Sequence, residues 1–182
     1  MVADPTRGDV TERPPAVLRP LFDALRLVAV GDPLDGLQRA LMSIDLDADA
    51  LGDLIAIDTA AYVRTLVLRR PTIEVFVMAW LPGQRSPIHD HRGSACAVKV
   101  VSGVGLEQLY TPGPEQTAIR SGGAQRVAKG GVIGSFDNDI HSFGNAAASP
   151  ASIRDILVTI HAYWPPLAPT AKYVEGEYPA AR

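Results

Sequence analysis

The sequence predicts a mainly β fold, a small barrel or jelly roll with helices packed on one side, and three observations lead there. From Tyr62 onward apolar residues alternate with period two, the signature of half-buried strands. Glycines and prolines punctuate the same region at intervals of roughly eight to twelve residues, the spacing of short strands and their turns. Before Tyr62 the apolar spacing is helical instead. At 182 residues the chain is about one domain long, and a body of that size needs neither disulfide nor structural metal to stay folded.

Taken in order, residues 1–15 are polar, end on Pro14-Pro15 and read as a disordered lead. Residues 16–182 read as a single domain: 16–60 helical, 61–164 the β-barrel, 165–182 a poorly regular tail that opens on Pro165-Pro166. Val17, Leu18, Leu21, Leu25 and Val28 predict a first helix despite Pro20, and 34–43 a second. A third is expected over 47–59, with Asp47 as its cap and Leu51, Leu54 and Ile55 as its apolar stripe. The expected strands are 62–69, 72–80, 97–101, 105–110, 125–127, 132–136, 141–145 and 153–164.

Charge and composition narrow the function. Lys plus Arg is 17 and Asp plus Glu 20, with no run of like charges, which argues against nucleic acid or an anionic membrane as the main partner. Apolar stretches fall well short of the roughly 20 residues that span a bilayer. The first residues lack the apolar core of a secretory signal, so the expected compartment is the cytoplasm. The single cysteine, Cys96, excludes an intrachain disulfide. The sequence does not report oligomeric state, and a monomer is compatible with it.

Four histidines, at 89, 91, 141 and 161, all fall in the β half. His89 and His91 are two apart, so on an extended strand both rings project from one face toward a single ion. Two solvated surface rings are the plainer reading of such a pair, but the flanking residues outweigh it. The first pair lies in Gly83-x5-His89-x-His91-x4-Cys96-x6-Gly103, and the third histidine in Gly130-x5-Phe136-x-Asn138-x2-His141-x3-Asn145. These resemble the two motifs of the cupin superfamily. Cys96 stands where most cupins carry a metal-binding glutamate, and Phe136 and Asn138 replace proline and glycine. Asparagine tolerates left-handed backbone, so the turn is expected to survive. Without the glutamate, three imidazoles would leave Fe(II) with two positive charges rather than one, favouring an anionic, soft ligand such as a thiolate.

Three further stretches sharpen the resemblance. Ser86-Pro87-Ile88-His89-Asp90-His91, Tyr62-Val63-Arg64 and His161-Ala162-Tyr163-Trp164-Pro165-Pro166 resemble the Ser-x-Ile-His-Asp-His, Tyr-x-Arg and His-x-Tyr-x-Pro-Pro stretches of the cysteine dioxygenase family, over residues 45–170. The resemblance implies a cupin barrel, an Fe(II) cofactor on His89, His91 and His141, and oxidation of L-cysteine by O2 to L-cysteine sulfinic acid. It implies Arg64 as the partner of the substrate carboxylate with Tyr62 beside it, and Thr159, His161 and Tyr163 as a hydrogen-bonded string over the iron. In part of the family the cysteine and tyrosine matched by Cys96 and Tyr163 are joined as a thioether. Three rivals stay open: a dioxygenase of 3-mercaptopropionate or another small thiol, a three-histidine zinc hydrolase or isomerase, and a ligand-binding cupin without turnover. Arg64 favours cysteine over the first, because the 3-mercaptopropionate branch tends to carry glutamine there.

Strand parity supports the same residues independently. Tyr62 and Arg64 share a face, as do Thr159, His161 and Tyr163 opposite Val158, Ile160 and Ala162. Leu66 and Leu68 are expected to point inward with Arg64, and an inward guanidinium requires a carboxylate, since burying it unpaired is costly. Arg69 and Arg70 beside Pro71 read as an exposed turn. Cys96, five residues after His91, faces the site only if Gly93 resets the alternation, which would also put Val98 and Val100 inside and Lys99 outside.

Overall fold

The computed structural model describes residues 6–7, 15–28, 31–147 and 155–176. A two-residue strand β1 (Thr6–Arg7) and a 3-10 turn (Ala16–Leu18) precede helices α1 (Arg19–Leu25), α2 (Pro33–Met42) and α3 (Ala48–Leu51). The β half then runs β2 (Val63–Arg70), β3 (Ile73–Trp80), β4 (Ile88–His89), β5 (Ala95–Ser102), β6 (Val104–Pro112), β7 (Thr117–Arg120) and β8 (Gln125–Ala128). It ends with β9 (Val132–Phe136), β10 (Ile140–Asn145), β11 (Leu157–Trp164) and β12 (Lys172–Gly176).

The first two predicted helices form. Pro20 sits in the first turn of α1, where its missing N–H is no loss, so it starts the helix rather than interrupting it. Asp32 caps α2 by accepting from Asp35 N at 3.3 Å. Leu37 and Leu41 of α2 are fully buried, each contributing about 1.5–3 kcal/mol of apolar burial against the sheet. The third helix is a correction: it stops after one turn at Gly52, whose φ of 47° is left-handed, and a 3-10 turn (Gly52–Leu54) follows. Asp47 makes no capping bond there and pairs with Lys129 instead.

Two sheets make the barrel. The first has the order β1-β2-β3-β11-β5-β9, and α1 and α2 cover its outer face. In the second, β6 pairs with β10 on one side and with β7 and β8 on the other, while β12 and β4 link β7 back to β10, so this sheet closes on itself. An inner apolar cluster, built on Phe76, Trp80, Val98, Val100 and Phe143, lies between the two sheets. Among the described residues, no helix is long and apolar enough to cross a membrane.

Several expectations about the strands change. β1 pairs in parallel with β2, placing a short strand inside the lead read as disordered; residues 1–5 and 8–14 lie outside those described. A bulge at Val67 puts Val67 and Leu68 together in the cluster under the helices, so Leu66 points inward and Leu68 does not. Lys99 faces out of the barrel as expected, yet the helices bury it. Asp137, with φ 49°, takes the left-handed conformation expected of Asn138. Residues 153–154 of the expected final strand lie outside those described, and β11 starts at Leu157.

The segment read as an irregular tail is the largest change. Its strand β12 runs antiparallel to β4 and parallel to β7, with Lys172 beside His89 and Val174 beside Thr117. Two buried carboxylates hold it. Glu74 accepts from Leu167 N at 2.8 Å and from Arg69 Nε at 3.0 Å, so Arg69 is an ion-pair partner rather than a mere turn residue. Asp90 accepts from Ala171 N at 3.0 Å and from the Tyr173 hydroxyl at 2.9 Å.

Candidate active site

His89 and His141 face one another in the β4–β10 register, and His91 follows just after β4. Its backbone is fixed by two bonds, His91 N to Asp137 O at 2.9 Å and Ser94 N to His91 O at 3.1 Å. Arg92 and Gly93 between them take left-handed φ values, so the turn that resets strand parity for Cys96 is present. The three rings converge, with centroids 4.8 to 5.2 Å apart. Their nearest donor atoms all lie within 4.8 Å of one another. An ion centred among them is therefore at most about 2.8 Å from each, a rotamer adjustment away from the roughly 2.1 Å of a metal–imidazole bond.

Each ring is oriented from behind through Nδ1. The partners are Pro87 O at 2.9 Å for His89, Ser135 Oγ at 3.3 Å for His91 and Glu107 Oε1 at 2.8 Å for His141. A carbonyl and a carboxylate only accept, so His89 and His141 each carry a proton on Nδ1 and turn Nε2 to the centre. Burial, reinforced by repulsion from His141, pulls His89 down to about 3 and His91 down to about 2, so both rings are neutral at pH 7. A neutral ring is the form that binds metal. Among the described residues this cluster contains no thiol and no acid.

The rings form part of the wall of a cavity of about 570 Å³ between the two sheets. Arg64, Arg85 and Lys172 line it and no aspartate or glutamate does among the described residues, so it attracts anions. The Arg64 guanidinium lies 4.3 Å from the centroid of Phe76. Tyr62 stacks on Trp80 at 4.1 Å. Cys96 is buried in the same wall and directly opposite Tyr163 in the β5–β11 register, with the two side chains hydrogen-bonded. Burial pushes the Cys96 thiol up to about 12, which keeps it protonated.

A hydrogen-bonded string backs this wall. Trp80 Nε1 donates to Thr159 Oγ1 at 3.0 Å, Thr159 Oγ1 meets His161 Nε2 at 3.0 Å, and His161 Nδ1 meets the Tyr163 hydroxyl at 3.3 Å. Indole can only donate, so one direction satisfies every group: Thr159 O–H to His161 Nε2, His161 Nδ1–H to the Tyr163 oxygen, and the Tyr163 proton onward to Cys96 or the cavity. Burial holds His161 well below its ordinary value, so it is neutral, as this direction requires.

Of the nine residues singled out in the sequence, eight line the cavity: Tyr62, Arg64, His89, His91, Cys96, His141, His161 and Tyr163. Thr159 does not. It is fully buried behind His161, with its hydroxyl against that ring's Nε2 and away from the cavity. Sequence reasoning missed Glu107 and Ser135, which reach the site only through a histidine; Trp80, which lines the cavity and bonds Thr159; and Leu167, Thr170 and Lys172, brought in by the C-terminal segment. An inward Glu107 on a strand looks like any solvated acid, so no sequence signal marks it.

A solved structure of low identity shares the architecture. An uncharacterized conserved protein with a double-stranded β-helix domain from Klebsiella pneumoniae superposes with a TM-score of 0.50 at 19% identity, over 68% of this chain and 93% of that one. TT1209 from Thermus thermophilus gives 0.49 at 18% identity, over 67% of this chain and 98% of that one. At that identity the first shows the fold alone: a cupin-type, double-stranded β-helix barrel. The family model described as cysteine dioxygenase type I matches residues 21–176, spanning α1 to β12 and every residue of the site just described. On that match the chain belongs to the cysteine dioxygenase type I family.

Proposed function

We propose that the chain oxidises the thiol of L-cysteine with O2 to L-cysteine sulfinic acid, using Fe(II) held by His89, His91 and His141. One observation carries the reading: the histidine cluster, Arg64 and the Tyr163–Cys96 pair line a single cavity with no lining carboxylate among the described residues. The donor set suits the ion, since imidazole is a ligand iron accepts and all three rings are oriented from behind. Bound there, ferrous iron supplies a Lewis acid for the thiolate and the electrons that O2 activation needs.

The protein's own groups position and steer. The planar Arg64 fork matches a carboxylate bidentately, which fixes how the amino acid sits against the histidines. Arg85 and Lys172, exposed at the mouth, raise the local concentration of an anionic substrate. Tyr163, aligned by the string from Trp80, offers a hydrogen bond toward the reacting atoms. Both oxygen atoms end on sulfur, so no further reductant is consumed, and the product stands at the sulfinic stage of thiol oxidation. The Cys96–Tyr163 pairing also suits a thioether, in which Sγ joins the phenol ring and the two hydrogens lost reduce O2 to peroxide. The cytoplasm, where free thiols stay reduced, fits this substrate.

Oxygen uptake by iron-loaded protein tests the reading. Uptake that requires both L-cysteine and Fe(II), with sulfinate as the product, supports it. Iron-loaded protein that consumes no O2 with L-cysteine overturns it, while preference for 3-mercaptopropionate would move the substrate and keep the reaction class. Zinc-loaded protein is the control, because zinc has no redox chemistry.

A further inference from the structure

The acid that the ligand set lacks reappears one strand away. Cys96 on β5 occupies the position of the usual cupin glutamate, and the next strand along the chain, β6 in the other sheet, carries Glu107 to the back of His141. Its Oε1 is 2.8 Å from His141 Nδ1, and both residues are buried, at 6% and 3% exposure. The other two ligands lean on neutral groups, a carbonyl and a hydroxyl, so Glu107 is the one charged group behind the three rings. Among the described residues, no lysine or arginine lies within ion-pair distance of it; its single ionic contact is the imidazole. Burying a carboxylate is costly unless a positive charge compensates it. A cation on the far side of the ring, where the three histidines converge, would supply that charge through His141.

We propose that Glu107 supplies, through His141, the negative charge that the three-histidine ligand set lacks, and so sets how tightly and in which charge state the metal is held. Drawing the Nδ1 proton toward the carboxylate gives His141 imidazolate character and makes it a stronger donor than His89 or His91. The charge favours a trivalent over a divalent ion at the same site. Glu107 is a positioning residue acting through its neighbour, since it does not line the cavity. The iron is that of the proposed function, but the inference needs only that a divalent cation binds the three rings.

Two variants separate charge from shape. Glu107→Gln keeps a carbonyl oxygen that accepts from Nδ1 and removes the charge; Glu107→Leu removes both. The dissociation constant of Co(II) and of Fe(II), measured against a chelator, is expected to rise about 10- to 100-fold in the leucine variant and by a smaller factor in the glutamine variant. The ferric/ferrous midpoint potential of the glutamine variant is expected to rise. A glutamine variant that folds, binds Co(II) and Fe(II) like wild type and keeps its potential overturns the proposal and reduces Glu107 to a structural acid. Should Glu107→Leu fail to fold, the glutamine variant alone decides. These readouts need no thiol turnover. Wild type that binds metal in a Glu107-dependent way yet leaves L-cysteine untouched ends the proposed function and not this inference.

Discussion

Replacing Arg64 with methionine removes the charge that the proposed reading assigns to the substrate carboxylate while keeping most of the side chain. The guanidinium lies 4.3 Å from the Phe76 centroid, and the methionine stem and thioether pack against that ring without strain. What goes is a charge-assisted, two-pronged contact, a class that contributes about 1.5–3 kcal/mol. At about 1.4 kcal/mol per tenfold, kcat/KM for L-cysteine should fall about 10- to 150-fold. Arg85 and Lys172 remain, but both are exposed and screened by water, so they recover little of the loss. The assay is oxygen uptake with L-cysteine and with cysteamine, which has the thiol and amine but no carboxylate. Wild type should prefer cysteine by the factor that the variant loses. An equal fall with both thiols, or loss of bound metal from the variant, would refute the assignment, because either result places Arg64 with the structure of the site and not with its substrate.

Other perturbations read the supporting structure. Thr159→Val is nearly isosteric but strands Trp80 Nε1 and His161 Nε2 in the core, so stability by denaturant titration should drop about 2 kcal/mol or more, whereas Thr159→Ser should stay near wild type. Asp90→Ala strips both acceptors from the C-terminal strand and should cost about 1–3 kcal/mol with faster amide exchange over Lys172–Gly176; Tyr173→Phe, losing one bond, should cost about 1 kcal/mol. His161 is held well below its ordinary value in the fold and titrates near 6.5 when unfolded. Below pH 6.5 the unfolded chain therefore binds the extra proton, and stability is greatest above that pH and declines as pH drops, by about 1.4 kcal/mol per unit from this group. A urea midpoint of metal-free protein that stays level from pH 7 to 5 would contradict this.

The parts of the site readable from sequence are those where strand alternation runs unbroken. β11 keeps Thr159, His161 and Tyr163 on one face and Val158, Ile160 and Ala162 on the other because nothing interrupts its register with β3. Alternation misleads at Leu68, where a bulge at Val67 shifts the face, and a tertiary event of that kind leaves no local mark. The helix expected over 47–59 fails for a local reason that was visible, Gly52 in a left-handed conformation. β4, β7 and β12 escape detection because they are two, four and five residues long, shorter than a periodic pattern needs; among the described residues β4 and β12 pair only with partners far along the chain, while β7 turns back on β6 as well as meeting β12. Glu107 and Trp80 escape because their partners, His141 and Thr159, lie 34 and 79 residues away.

That last class of contact decides how the metal cluster is built. His89 sits on a strand of only two residues, clamped between His141 on β10 and Lys172 on β12 in a continuous register. The residue between His89 and His91 is Asp90, which anchors β12 through Ala171 N and the Tyr173 hydroxyl. Two of the three histidines therefore depend for their position on the last of the described strands, and that strand depends on the loop that bears them. Since the same segment brings Leu167, Thr170 and Lys172 to the cavity, it supports both the histidine cluster and the mouth of the pocket. Any ion that draws the three rings together is bound to the folded state alone, and at a hundredfold excess over its dissociation constant it adds about 2.7 kcal/mol to stability. Because β4 and β12 share hydrogen bonds, that stabilisation is felt at the C-terminal strand as much as at the histidines, which is why a segment with no metal ligand of its own belongs to the site.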